Sequence, residues 1–374
     1  MNRSNSRTQK KLTNASRSEQ KQRGLSLVEL MIGMVLGIVV VGGCITIFTG
    51  VVRSSSVNQT VSTLQSKARF AIDMIGHDVR SAGFLGCASS EETELNIATP
   101  KAPTNNLDQT AITGAVVGAT DWTPAIPAGF IPPTGVGAPV EGTQALSVQS
   151  AQYRGSPLAS SMSGQSASIE LAAPLGVSVY SGDLMIVSDC TRADLFEVSS
   201  VSGPVSGKTI QPADSLAKAY ALSVDFPANT RAMLFSSSIY YIGDTQRVTE
   251  QGDAVYSLFQ QTYPYAASNP PLELIEGVDQ MQLEFGVRLA TNAIAYMEPD
   301  DAGFDPAAIE TVRVGLLMSS MKSFSDVDDT REFTLVGRAV VPASATATNA
   351  TYPADKRMRM PFNATFSVRN RNMQ

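Results

Sequence analysis

The sequence predicts an α+β protein, a long N-terminal helix laid on antiparallel sheet, and three observations carry that expectation. Leu30 to Val52 is an apolar run with no charged residue before Arg53, long enough as a helix to cross about 30 Å of hydrocarbon. Beyond it, Val57, Val61, Leu64, Ala68, Ile72, Ile75 and Val79 recur at spacings of three and four, the buried stripe of an amphipathic helix. After Phe84 helical periodicity nearly vanishes, and segments of alternating or β-rich composition succeed one another with turn residues between them.

Taken in order, residues 1–24 form a basic leader in which Arg3, Arg7, Lys10, Lys11, Arg17, Lys21 and Arg23 face Glu19 alone, a surplus of six positive charges. The positive-inside rule keeps such an end in the cytoplasm and exports the chain beyond the helix. Without the leader the formal charge of −6 becomes −12, so the body is acidic and its bulk charge gives no support for binding nucleic acid directly. A secretory signal peptide would have a shorter apolar region and a small-x-small cleavage site, and neither is seen here. Glu29 stands where the apolar run begins. A carboxylate at the edge of hydrocarbon costs about 2.5–3.5 kcal/mol and implies a partner; the plainer alternative is attraction to the positive end of a helix dipole, about 0.3–1 kcal/mol. Gly33 and Gly37 form a G-x-x-x-G pair that lets helices approach closely in lipid, although glycine is common in membrane helices. Cys44 reads as a small apolar residue within the span.

The helix is expected to continue through 53–86. Arg69, Asp73, His77 and Arg80 fall off its apolar stripe, and Gly83-Phe84-Leu85-Gly86 supplies the stop signal. Thr99 to Val140 is rich in Pro, Gly, Ala and Thr and reads as surface loops. It holds the single tryptophan, Trp122, which either tucks onto the sheet or serves recognition from a loop. Strands are expected over Ala167 to Ala172, Leu184 to Ser188, Leu195 to Val201, Leu234 to Ile242, Met281 to Leu289, Thr311 to Met318, Phe333 to Val341 and Phe362 to Val368. The 290 residues beyond Phe84 are many for one sheet, so a second small sheet or subdomain is expected.

Catalytic chemistry finds little support. His77 is the one histidine, and a lone histidine on a helix reads as a surface or packing residue rather than a general base. No Cys/His cluster suits zinc, and neither a phosphate-cradling G-x-x-x-x-G-K-[ST] nor a G-x-S-x-G elbow occurs. The acidic stretches 300–305 and 326–329 lack the D-x-[DN]-x-[DN]-G pattern of a calcium loop and read as solvated turns. Lys356-Arg357-Met358-Arg359 reads as a strand-flanking surface. No catalytic residue, cofactor or metal is therefore expected.

Gly24-Leu25-Ser26-Leu27-Val28-Glu29-Leu30 resembles the class III signal of type IV pilins and pseudopilins, with Leu25 where phenylalanine is commoner. The resemblance implies that a prepilin peptidase cuts between Gly24 and Leu25 and methylates the new amine of Leu25. It also implies that Glu29, fifth in the mature chain, pairs with the amine of a neighbouring subunit and sets the stagger of a filament, since an unpaired charge in that apolar core is strongly disfavoured. More narrowly, 70–87, with its Asp78-Val79-Arg80 and Gly86-Cys87, is similar to the PilW family of minor pilins. So are 142–148, Ser188-Asp189-Cys190, 274–282 and 366–371, and the similarity is poorest between Ser89 and Glu141.

What the resemblance implies is a type IV pilin-like fold: leader 1–24, transmembrane half-helix 25–52, amphipathic half-helix 53–86 and a β-rich periplasmic head over 87–374 with a loop-rich insertion about 99–140. Cys87 and Cys190 would form a disulfide pinning the helix end to the sheet across about 100 residues, worth about 2–4 kcal/mol, with two free thiols as the alternative. The implied function is a minor pilin that primes type IV pilus assembly at the inner membrane and sits at or near the pilus tip beneath a PilY-type adhesin, supporting twitching motility and adhesion. Its implied partners are other minor pilins, the major pilin and the prepilin peptidase. A J-type minor pseudopilin of a type II secretion system, and a membrane-anchored periplasmic enzyme, are the competing readings.

Overall fold

A computed structural model describes residues 26–86, 94–126, 129–172, 178–189, 191–204, 207–220, 230–265, 269–344 and 350–370. One 55-residue helix, Leu27–Ser81, starts the described chain, and no other described helix exceeds four residues. The chain divides into two compact units, Met1–Asn58 and Gln59–Gln374.

In the first unit the helix surface from Leu27 to Val52 is exposed throughout, and by length and composition it suits a membrane span. The hydroxyls of Thr46 and Thr49 donate to the carbonyls of Gly43 and Ile45 at 2.8 and 3.0 Å, so neither presents an unsatisfied donor to hydrocarbon.

In the second unit the remaining turns of the helix bury Leu64, Ala68, Ala71, Ile75, Gly76 and Val79. Leu64, Ile75 and Val79 are each worth about 1.5–3 kcal/mol by burial. Four members of the apolar stripe, Leu64, Ala68, Ile75 and Val79, are buried as their spacing predicts, while Arg69, Asp73 and His77 are exposed. The stripe packs on a core drawn from two sheets, with Leu146, Tyr240 and Ile242 from the larger and Met281, Val314, Leu316 and Phe366 from the smaller.

The larger sheet has 13 strands around one hub, Arg231–Val248, which pairs antiparallel with Gln144–Ala151, Leu184–Ser188, Ala254–Thr262 and two short strands. The hub serves so many partners because it is 18 residues long; its two halves hydrogen-bond different neighbours. A four-stranded antiparallel sheet comes next, in the order Ile294–Met297, Val278–Arg288, Ile309–Ser323, Arg357–Ser367. A three-stranded sheet, Phe333–Leu335, Arg338–Pro342 and Ala350–Tyr352, completes the head. The α+β expectation, with sheet beyond the first, holds.

Two local differences have physical causes. Ile112–Val117, inside the stretch read as loops, is a strand paired with Gln144–Ala151 and almost wholly buried. It shows no alternation because both faces are covered, and Gly114 is there because an added Cβ would lie 2.7 Å from the Phe285 ring. The strand expected over Met281 to Leu289 starts earlier, at Val278, directly after Gly277, where φ is 78° and a Cβ would come within 2.5 Å of the Ser319 carbonyl oxygen. Only glycine accepts both conditions.

Gly76 sits on the buried face of the helix against the ring of Phe366, and a Cβ there would approach the ring to 2.4 Å. Gly76→Val gains roughly 1 kcal/mol or less of helix propensity but overpacks the contact at a cost of about 1–3 kcal/mol. We expect net destabilisation in urea unfolding of the detergent-solubilised chain, lessened by adding Phe366→Leu. A single variant as stable as the wild type would show that the contact is slack.

Candidate functional site

Three groups of residues carry the arrangement: the first turn of the helix, its last turns against the sheets, and a buried ion cluster behind them. At the start, the Ser26 hydroxyl accepts the backbone N–H of Glu29 at 3.1 Å, and the Ser26 carbonyl accepts from Leu30 N–H at 3.1 Å. Ser26 is thus the helix N-cap and Glu29 the third helical residue, the spacing of a capping box. The Glu29 side chain is exposed. Gly33 and Gly37 meet nothing of the chain itself: a Cβ added at either finds no atom within 4 Å. Gly24 and Leu25 lie outside the described residues. Cys44 is a free, exposed cysteine on the helix.

At the other end, Asp78-Val79-Arg80 docks the helix. Tyr240 of the hub strand donates its hydroxyl to Asp78 at 2.7 Å and receives a bond from Gln260 at 2.9 Å. Burial, with the Asp78 carboxylate adding to it, pushes the Tyr240 phenol above its ordinary range. Arg80 lies over the Phe366 ring, 5.1 Å from its centroid. Lys67 pairs with Glu276 at 3.0 Å. Gly83, with φ 72°, ends the helix, and its N–H bonds the Gln149 carbonyl at 2.9 Å. Asn370, beyond the terminal strand, donates to the carbonyl of Ala82 at 3.1 Å. The helix end is held from both sheets and by the chain's closing segment.

The third group corrects the expectation for Lys356-Arg357-Met358-Arg359. Arg357 and Arg359 are fully buried, not a strand-flanking surface. Arg359 Nε donates to Asp279 Oδ2 at 2.8 Å and its Nη2 to Asp355 Oδ2 at 2.7 Å. Arg357 Nε donates to the same Asp355 oxygen at 2.8 Å. Ser319 donates to Asp279 Oδ1 at 2.8 Å, and the Tyr352 ring lies 4.5 Å beneath the Arg359 guanidinium. Two cations and two anions balance, which is what lets them be buried at all. Burial alone would raise the Asp355 carboxyl, but hydrogen bonds and charge from Arg359 and Arg357 outweigh it and hold the group below its usual range. Burial of Tyr352 and its nearness to Asp329 push that phenol up to about 12. The cluster joins three strands of the smaller sheet to Tyr352 of the three-stranded sheet.

His77 is exposed, its Nδ1 3.3 Å from Asp78 Oδ1. No group of three or more His, Cys, Asp or Glu side chains among the described residues is placed to hold a metal. Trp122 tucks onto the sheet, its ring 5.1 Å from Phe130 and 5.9 Å from Tyr241. In 326–329, Asp329 pairs with Arg331 at 2.8 Å. Cys87 and Cys190 lie outside the described residues, but their described neighbours approach: a Cβ on Gly86 would be 3.7 Å from the Ser188 Cβ. Sequence reasoning missed Gly76, Tyr240 and the buried arginines. A glycine on the buried stripe and two arginines alternating with Met358 and Met360 were the available signals.

Compared with known families, residues 239–370 match the PilW model, described as type IV pilus-assembly protein W, and residues 20–45 match the prokaryotic N-terminal methylation motif. The first span contains Tyr240, the ion cluster and Phe366; the second contains Gly24, Leu25, Glu29, Gly33, Gly37 and Cys44. The similar stretches 70–87, 142–148 and 188–190 fall outside both. No curated protein and no solved structure matches the chain.

Proposed function

We propose, taking as premise that the chain is a pilus-related pilin of the PilW family, that it is a minor pilin priming type IV pilus assembly from the inner membrane. After cleavage between Gly24 and Leu25 by a prepilin peptidase, the chain is anchored by the apolar half of its helix with the β-rich head in the periplasm. It then stacks with other minor pilins and the major pilin and sits at or near the pilus tip, beneath a PilY-type adhesin, in support of twitching motility and adhesion. The observation that carries this reading is the single helix Leu27–Ser81, which starts from the Ser26 cap with Glu29 exposed in its first turn and whose last turns dock on both sheets. The helix runs without interruption from its apolar span into its amphipathic turns. Gly33 and Gly37, which nothing inside the chain requires to be glycine, suit packing against neighbouring helices.

The test is the amount of major pilin sheared from the cell surface after deletion of the chain, with and without the retraction motor. Loss of surface pili that partly return when retraction is blocked supports priming. Unchanged pili together with exported enzymes trapped in the periplasm would replace this reading with a J-type pseudopilin of a secretion system.

The same proposal includes a Cys87–Cys190 disulfide, supported by the approach of Gly86 to Ser188. Intact mass of the purified mature chain is expected to start at Leu25 with one added methyl group, and alkylation without reduction is expected to label Cys44 alone. Labelling of all three cysteines before reduction would remove the disulfide.

A further inference from the structure

Within the second unit a groove of about 760 Å³ opens beside the last turn of the long helix. Three arginines reach it from separate parts of the chain: Arg80 from the helix, Arg154 from the segment after Gln144–Ala151, and Arg369 from beyond the terminal strand. Phe84 and Tyr153 form an aromatic wall, their ring centroids 5.9 Å apart, and Tyr153 is 85% exposed. None of the three arginines has an ion pair among the described residues, whereas Arg192, Arg247, Arg288, Arg313, Arg331 and Arg338 each face a carboxylate. The one carboxylate lining the groove, Asp78, is engaged by the Tyr240 hydroxyl at 2.7 Å. Three guanidinium groups without an ion pair, beside the half-buried Phe84 and the exposed Tyr153, on a chain whose charge without its leader is −12, call for an anionic occupant.

We infer that this groove docks a short, extended acidic segment of a neighbouring pilin subunit, with carboxylates on Arg154 and Arg369 and an apolar side chain against Phe84 and Tyr153. The inference rests on the chain being a pilus assembly subunit. Arginine's planar fork suits paired carboxylates, and the volume falls within the roughly 300–1,000 Å³ of pockets that enclose a ligand. A long polyanion fits less well. Beyond about 8–10 Å, the Debye length at moderate salt, it leaves the local positive field and meets the acidic remainder of the head.

The test uses the detergent-solubilised full chain and fluorescence anisotropy with labelled probes: Glu-Glu-Phe-Glu-Glu, Lys-Lys-Phe-Lys-Lys and an oligothymidine of matched length. The acidic peptide is expected to bind and the basic one not, with at least a tenfold loss in the R154E/R369E variant, partial retention in R154K/R369K, and a several-fold loss in Tyr153→Ser. All three substitutions are at exposed positions, and unchanged thermal unfolding checks that the head is intact. Equal peptide binding by R154E/R369E, or tighter arginine-dependent binding of the oligothymidine, overturns the inference. In cells, R154E/R369E is expected to lower surface pili relative to the complemented wild type. Wild-type piliation by this variant, where deletion of the chain abolishes pili, refutes the groove while leaving the assembly role standing; unchanged piliation on deletion refutes the assembly role itself.

Discussion

Glu29→Ala is expected to abolish incorporation of the chain into surface pili while leaving its abundance in the membrane close to wild type. In the isolated chain Glu29 contributes its backbone N–H to the Ser26 cap and presents an exposed side chain. Alanine keeps that backbone hydrogen bond, so the helix loses only the attraction between a carboxylate and the helix N-terminus, about 0.3–1 kcal/mol. In an assembled core the same carboxylate would face a neighbour's amine with no water to replace it, and removing one partner of a buried pair costs about 3–5 kcal/mol. That difference separates a folding effect from an assembly effect. Sheared pili and membrane fractions probed for the chain supply the readout, and Glu29→Asp is expected to recover incorporation in part. Normal incorporation of the alanine variant would mean that the carboxylate serves the helix start and nothing more.

Arg359→Ala is expected to destabilise the head by about 3–5 kcal/mol, because it takes from Asp279 its 2.8 Å guanidinium partner inside the sheet and leaves only the longer contact with Arg357, at 3.4 Å. The double variant Asp279→Leu/Arg359→Met removes one cation and one anion together and leaves the Arg357–Asp355 pair, 2.8 Å apart, intact. It is expected to lie closer to wild type than either single change. Urea unfolding of the four chains gives the coupling directly; additive losses would show that the charges act independently. The pH dependence has a definite sign. The Asp355 carboxyl is held below its ordinary range, so its contribution is present above the unfolded carboxylate value near pH 4 and is lost as pH falls through the lower folded value. Acid unfolding of the wild type should therefore shift to higher pH in Arg359→Ala.

The helix was legible because a membrane span and an amphipathic stripe each leave a long periodic trace. Leu64, Ala68, Ile75 and Val79 bury where their spacing puts them. The strands were legible where one face alternates, as in the terminal strand, and illegible in Ile112–Val117, whose two covered faces leave no period. Arg357 and Arg359 misled for a different reason. A local run of three basic residues reads as solvated surface, and what makes these two internal is Asp279, 80 positions from Arg359, together with a turn that returns Asp355. Such charge matching is a property of the fold and has no local signature. Gly76 was missed because its reason is the ring of Phe366, 290 positions away, which nothing near it in the sequence announces. Gly24, Leu25 and Glu29 lie in one contiguous motif, within the stretch that matches the N-terminal methylation motif, while the groove of Arg80, Arg154 and Arg369 is assembled from three distant segments and exists only after folding.

The terminal strand Arg357–Ser367 is synthesised after everything it completes. Until it arrives, Asp279 stands in a half-built sheet without its counter-charge, the helix face around Gly76 lacks the Phe366 ring, and Arg80 has no ring beneath it. A chain cut short by even this one strand would keep its membrane span and its start signal yet hold a loosened helix. The order of synthesis thus acts as an inspection step: the amphipathic turns of the helix are pinned to their sheets only in a chain translated through Arg357–Ser367.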